Sequence, residues 1–141
     1  MKYRYTEKDI ELLGRIMRAE AIGEGREGML KVGNVVTNRI IANCLTFRDV
    51  KTLSDVLYQP NQFASVNSPL YNSGRATAKE KELAKKALRG HKLFPATNAL
   101  WFHSLDIGRD CRPTWFDQQL SGRHKNHCFY GPDPGVCDEL S

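Results

Sequence analysis

The sequence predicts an α+β domain that is mainly helical and carries one small antiparallel β-hairpin. Three observations predict this class. Two apolar patterns with helical spacing follow one another in the first third of the chain, joined by a glycine-rich segment. A further amphipathic helix with clear cap residues lies beyond the middle of the chain. After it, the apolar period changes from that of a helix to that of a strand.

The first helix is predicted to begin after Thr6, since Asp9 three residues later completes a capping-box pattern, and to run to about Ala21. Glu20 then projects into an apolar arc formed by Ile10, Leu13, Ile16 and Met17. Burial there would raise the pKa of the carboxyl and favour a proton donor near neutral pH. The alternative is that the helix ends at Glu20, whose side chain then reaches solvent or an arginine such as Arg18 or Arg39.

The second helical pattern is too apolar all round for a surface helix, which predicts a central buried helix. Gly23 and Gly25 break the first helix, and the second opens near Glu27 or Gly28. Gly33 costs helix propensity inside this pattern. We therefore expect another part of the structure to approach closely at Gly33.

A short helix from Thr52 to about Tyr58 is predicted to stop at Pro60. The loop that follows, YQPNQFASV at residues 58–66, carries amides and an aromatic ring of the kind that bind sugars. The candidate sugar-binding residues are Gln59, Asn61, Gln62 and Phe63. A structural loop that caps its own backbone is the alternative. Residues 67–76 are predicted to form a further loop.

The capping box of Thr77 and Glu80, with Gly90 at the C-terminal end, predicts the next helix. Residues 99–103 then alternate as in a strand. Residues 127–130 form a second apolar run, which could pair with the first as an antiparallel hairpin across a long loop. The tail from Gly131 is expected to be irregular.

Composition restricts the partners and the location. The 141 residues suit one domain, residues 1–141, and no stretch approaches the ~20 apolar residues of a membrane span. The charged N-terminus lacks the apolar core of a signal peptide. A net charge of +5 favours an anionic partner, such as nucleic acid or an acidic wall polymer. Because no basic stripe with interleaved aromatics is present, we expect no nucleic-acid partner.

The four cysteines have no C-x-x-C spacing, which argues against a structural zinc site. They are Cys44, Cys111, Cys128 and Cys137. They would be free thiols in a reducing cytosol and could crosslink in an oxidising coat, and the sequence leaves both open. His124 and His127 lack the i, i+4 helical spacing that would place two imidazoles on one face. We therefore expect no metal and no cofactor.

The carboxylates remain as candidate catalytic groups. Hydrolytic glycosidases usually need two carboxyls, and Glu24, Glu27, Asp106 and Asp117 are all candidates for a partner of Glu20. Spacing does not select among them. Trp115 and the adjacent Phe116 could stack on a sugar or pack in the core.

Four features together carry a resemblance to a known family. They are RAEAIGEGREGMLKVGNVVTNRI at residues 18–40, YQPNQFASV, the predicted helix that ends at Gly90 and is followed by Pro95 and an aromatic strand, and HCFY at residues 127–130. They resemble the SleB/CwlJ family of spore-cortex peptidoglycan lytic enzymes over residues 10–131. Within that family, its CwlJ branch is the more similar one at three short segments, GEGREGM, VGNV and RIIANC. The resemblance implies a lysozyme-like catalytic domain that acts on the glycan strands of cortex peptidoglycan in spore germination.

The resemblance also implies roles for single residues. The first glutamate of the family's E-A-x-G-E motif is catalytic and corresponds to Glu20, and its companion corresponds to Glu24. One glutamate suffices as acid and base in a lytic transglycosylase. Gln59, Asn61, Gln62, Phe63, Trp101 and His103 are the candidate substrate-binding residues. A hydrolytic muramidase or glucosaminidase, and a non-catalytic coat or wall-binding protein, are the alternatives.

The resemblance further implies a place in the spore coat or at the boundary of coat and cortex, synthesis in the mother cell, and a coat partner protein. In that setting, crosslinking or pairing of Cys111, Cys128 or Cys137 becomes a hypothesis to test.

Overall fold

A computed structural model describes residues 3–59, 64–106 and 108–140 of the chain. Pro60, the predicted stop of the short helix, lies outside the described residues, as do the candidate sugar-binding residues Asn61, Gln62 and Phe63. The prediction for Gln59 falls inside them.

The described residues contain four α-helices, which hold more residues than the strands do. They are α1 (Glu7–Ala21), α2 (Gly25–Ala42), α3 (Leu53–Leu57) and α4 (Ala78–Leu88). Three of them begin with a capping box, in which the N-cap side chain and the third helical residue satisfy each other's backbone N–H groups. The N-caps are Thr6, Thr52 and Thr77, as the sequence predicts.

The buried helix α2 begins at Gly25, slightly earlier than the predicted start near Glu27 or Gly28. A 3₁₀ turn, Ile22–Glu24, leads directly from α1 into α2 and shortens the predicted break. Gly25 has a φ of +78°, which glycine adopts at little cost. Most of the residues of α2 are buried, which confirms the prediction of a central helix.

Four short strands form one antiparallel sheet in the order β1-β4-β3-β2. They are β1 (Trp101–Ser104), β2 (Thr114–Trp115), β3 (Gln118–His124) and β4 (His127–Gly131). The two predicted strands do pair, with Trp101 opposite Tyr130. They are not joined as a hairpin, however, since β2 and β3 lie between them in sequence and β3 forms the tight hairpin with β4.

Helix α2 is hydrogen-bonded to the segment that immediately precedes β1, and these bonds connect the helix to the sheet. Asn38 Nδ2 donates to the carbonyls of Ala96 and Ala99 at 3.0 and 2.9 Å. Arg39 Nε donates to the carbonyl of Leu100 at 2.7 Å. The start of β1 is therefore fixed against the end of the central helix.

Two disulfide bonds connect distant parts of the chain. Cys44, just after α2, is bonded to Cys137 in the irregular tail, and Cys111 is bonded to Cys128 on β4. None of the helices described for this chain combines the length and the hydropathy that a membrane span requires.

Candidate active site

Glu20 lies in the last turn of α1, and its apolar neighbours on that helix are buried as predicted. The Ser65 hydroxyl donates a hydrogen bond to Glu20 Oε1 at 2.5 Å. Burial raises the pKa of Glu20, while the bond from Ser65 and the charge of Arg39 act in the opposite direction. The structure thus combines the two sequence-based interpretations, because Glu20 is largely buried and also lies within the field of an arginine.

Arg39 supplies that positive charge from α2. Its guanidinium is buried, bonds the Leu100 carbonyl and lies 4.8 Å from the ring centroid of Phe47. Burial lowers the pKa of Arg39 to about 9, and the charge of Glu20 opposes that shift. The side chain therefore remains charged at neutral pH.

Arg18, the other arginine that was a possible partner of Glu20, has a structural role instead. It forms a buried ion pair with Glu80 at 3.0 Å, and it donates to backbone carbonyls of the loop before α4, such as that of Gly74 at 2.7 Å. These bonds attach the loop to α1.

Glu24, the predicted companion of Glu20, lies in the 3₁₀ turn between α1 and α2. Its Oε1 lies 3.2 Å from Nδ1 of His127, the first residue of β4. His127 is 2% exposed, and burial lowers its pKa while the Glu24 carboxylate raises it. The backbone of Glu20 also raises the pKa of His127. His127 therefore lies beside both glutamates.

His124, at the end of β3, holds the backbone of Glu24. Its Nε2 lies 3.1 Å from the Glu24 carbonyl, and its Nδ1 lies 2.9 Å from the buried Lys31 ammonium. A lysine ammonium can only donate, so Nδ1 is the acceptor and Nε2 carries the hydrogen that Glu24 accepts. The β3–β4 hairpin thus bonds the backbone of Glu24 through His124 and lies against its side chain through His127.

Gly28 makes this arrangement possible. A Cβ built at Gly28 would lie 2.4 Å from Glu24 Cβ and 3.2 Å from the imidazole of His124. Any side chain at this position would displace the turn that carries Glu24.

The remaining described candidates have different surroundings. Gln59 Nε2 donates to the Thr46 carbonyl at 3.1 Å. Trp101 is only 7% exposed and its ring packs 5.3 Å from that of Phe47. His103 is half-buried and stacks on Trp115 at 4.1 Å between ring centroids.

Sequence reasoning did not single out Ser65, Lys31 or the pairing of His127 with Glu24. Ser65 lies in the YQPNQFASV segment, whose amides and aromatic ring indicate sugar binding. Its hydroxyl could therefore have been included among the candidates. Among the described residues, no three His, Cys, Asp or Glu side chains gather as a metal site.

The sequence model of a family described as Cell Wall Hydrolase matches residues 23–130. The chain belongs to the cell wall hydrolase family. This cell wall hydrolase is therefore a peptidoglycan lytic enzyme. The matched range contains Glu24 and His127 and begins shortly after Glu20.

Relatives from several bacteria agree with this family. Cell wall hydrolase CwlJ of Bacillus subtilis (strain 168) is 39% identical over 137 residues, which cover 97% of this chain and 94% of the relative. The CwlJ of Halalkalibacterium halodurans is 41% identical over 138 residues, with the same coverage. A spore cortex-lytic enzyme of Oceanobacillus iheyensis is 32% identical over 103 residues, 72% of this chain and 34% of the relative.

Two solved structures have the same fold. The catalytic domain of the Bacillus cereus SleB protein aligns with a TM-score of 0.71 at 22% identity, covering 90% of this chain and 92% of that one. The catalytic domain of the germination-specific lytic transglycosylase SleB from Bacillus anthracis aligns with a TM-score of 0.70 at 20% identity, covering 92% and 99%. The fold of this cell wall hydrolase is thus mainly helical, as the sequence pattern predicts, and lysozyme-like, as the family resemblance implies.

Proposed function

We propose that this cell wall hydrolase degrades spore-cortex peptidoglycan during germination, and that it cleaves the glycan strand as a lytic transglycosylase with Glu20 as its acid and base. The observation that carries the proposal is the largely buried Glu20 carboxyl, with its raised pKa and its bond from Ser65. The biological setting is supported by the relatives described as spore cortex-lytic enzymes.

In the first step, protonated Glu20 gives its proton to the glycosidic oxygen, and the bond from that oxygen to C1 of muramic acid breaks. Burial raises the pKa of the carboxyl and so favours its protonated form, which supports this role. Once the proton has left, the Ser65 hydroxyl and the charge of Arg39 stabilise the carboxylate.

In the second step, the Glu20 carboxylate removes the proton from the C6 hydroxyl of the same muramic acid. The C6 oxygen then bonds to C1 and closes a 1,6-anhydro ring. Glu20 recovers its proton, and no water is consumed.

The surroundings of Glu24 favour this one-carboxylate mechanism over a hydrolase with two free carboxyls. Its side chain lies against His127, and its backbone carbonyl accepts from His124. We assign Glu24 as the companion that holds the junction of α1, α2 and β4 beside Glu20. A hydrolytic muramidase or glucosaminidase remains the second candidate, and it would form reducing ends.

The substrate-binding residues are part of the same proposal. Gln59, Asn61, Gln62 and Phe63, which precede Ser65 in the sequence, would orient the sugar. His103 would do so from β1, while the predicted contact from Trp101 is disfavoured because its ring is buried against Phe47.

The test is a digestion of purified cortex peptidoglycan, followed by mass spectrometry of the released muropeptides. The wild type should give anhydro-muramic ends, and Glu20→Gln should be slower by about 10²- to 10⁴-fold, the usual contribution of general acid–base catalysis. Glu27→Gln is the matched control, since Glu27 is an exposed carboxyl near the same turn. Reducing ends would establish a hydrolase instead, and equal products from wild type and Glu20→Gln would refute the role of Glu20.

We further propose that the protein is retained in the spore coat, or at its boundary with the cortex, through a coat partner protein. The similarity to CwlJ proteins over nearly the full chain supports this placement. Fractionation of dormant spores should recover the protein with the coat, whereas recovery from the spore core would contradict the proposal.

A further inference from the structure

An aromatic pair lies at the turn between β2 and β3, apart from the groups assigned to catalysis. Phe116 is 69% exposed, and Trp115 meets it edge to face at 5.4 Å between ring centroids. Arg112 lies over the Trp115 ring at 5.5 Å. With Thr114 and Asp117, these residues line a cavity of about 360 Å³.

The backbone of this turn is strained. Phe116 has a φ of +51° and Asp117 a φ of +63°, values that a tight hairpin usually assigns to glycine or asparagine. A bulky aromatic residue is rarely found there. Since Phe116 is largely exposed, burial of its own ring does not offset the strain, and strain of this kind is often retained for function.

The aromatic pair is connected to the candidate active site through β1. Trp115 stacks on His103, with an angle of 21° between the rings. His103 lies on β1 and pairs with Cys128, the residue that follows His127 on β4. Arg39, whose charge acts on Glu20, bonds the carbonyl of Leu100 immediately before β1. Through His103, the aromatic pair is therefore in contact with the strand that pairs with His127 beside the two glutamates.

We propose that the exposed ring of Phe116, supported edge to face by Trp115, binds the glycan strand of the substrate outside the groups assigned to catalysis. An exposed aromatic face packs on the C–H face of a sugar ring, and Arg112, Thr114 and Asp117 offer hydrogen-bonding groups to its hydroxyl and acetamido substituents. The inference rests on the proposed function, because it takes the glycan as the substrate. It adds a second point of attachment that favours long strands over short fragments.

The test measures co-sedimentation of the protein with insoluble cortex peptidoglycan, in the Glu20→Gln background so that the polymer stays intact. Phe116→Ala should weaken binding by roughly three- to ten-fold, the effect of one aromatic contact. Phe94→Ala is the matched control, because Phe94 is 76% exposed and lies at a separate cavity with Gln119 and Asn98. Binding should not change in that control.

A second variant separates binding from folding. Phe116→Gly removes the ring and also relieves the positive φ, so it should keep or raise the melting temperature while binding falls as in Phe116→Ala. A structural role for the ring would instead lower the melting temperature in both variants.

Unchanged binding by both Phe116 variants, or an equal loss in Phe94→Ala, would overturn the proposal. The wild type is assayed in parallel for released muropeptides. If it digests cortex while the Phe116 variants bind normally, the aromatic site fails and the proposed function stands. If it binds through Phe116 without digesting cortex, the aromatic site stands and the proposed function fails.

Discussion

Glu20 is placed one residue before the end of α1, where the helix still directs its side chain among apolar neighbours. Helical spacing alone indicates this position, because the apolar arc is a property of a single continuous segment. The hydroxyl that bonds Glu20 comes from Ser65, 45 residues further along the chain. A contact of that range depends on how segments fold together, so the local pattern could not reveal it.

The raised pKa of Glu20 has a consequence for stability that can be measured. A carboxyl with a higher pKa in the folded state than its usual 4.5 favours folding only while it is protonated. The stability of the wild type should therefore fall, relative to Glu20→Gln, as the pH rises from about 4.5 through the folded-state pKa. Above that pKa the difference should stay constant, with the variant the more stable protein.

Thermal unfolding of both proteins between pH 4 and pH 8 measures this difference. Glu27→Gln, at an exposed position, should show no comparable trend. A difference between wild type and Glu20→Gln that does not change with pH would show that Glu20 titrates at the same pH in both states.

At the scale of the elements, helices were easier to predict than strands. The capping boxes at Thr6, Thr52 and Thr77 are local in sequence and mark three helix starts correctly. The strand β3 was missed because its sequence, QQLSGRH, has little apolar alternation. It is held by pairing with β4, whose residues are all buried, and that support is absent from the sequence of β3 itself.

The three long helices meet at Gly33, as the sequence predicted for that glycine. A Cβ at Gly33 would lie 3.1 Å from Ala87 Cβ of α4 and 3.1 Å from Met17 Sδ of α1. Alanine would gain about 1 kcal/mol of helix propensity. Overpacking costs about 1–3 kcal/mol, and the Cβ of Ala87 cannot move without its backbone.

We therefore expect Gly33→Ala to lower the free energy of unfolding by up to ~2 kcal/mol, measured by urea denaturation. Gly23→Ala is the control, because no atom lies within 4 Å of its added Cβ. If Gly33→Ala proved more stable than the wild type, the helices would have room to separate.

At the scale of the whole molecule, the two disulfides constrain very different lengths of chain. Cys44 and Cys137 are 93 residues apart, whereas Cys111 and Cys128 are 17 apart. The sequence left the pairing open, because cysteine spacing does not reveal which residues the fold brings together. The fold brings Cys44, just after α2, next to Cys137 in the tail. It brings Cys111 next to Cys128 on β4.

Chain entropy predicts that the longer loop contributes more stability. Replacing Cys44 and Cys137 together by alanine should cost about 4.6 kcal/mol, and replacing Cys111 and Cys128 about 3 kcal/mol. Urea denaturation without reductant measures both values, with reduced wild type as the reference for the loss of both bonds. The reverse order would mean that packing around Cys128 outweighs chain entropy.

The two disulfides also bear on the proposed retention of the protein in the spore coat. They use all four cysteines of the chain, so the folded protein has no free thiol with which to bond a neighbour. Retention must then depend on non-covalent contacts or on chemistry at other side chains. A protein held non-covalently would be extracted by denaturant alone, and reductant in the extraction buffer would not increase its yield.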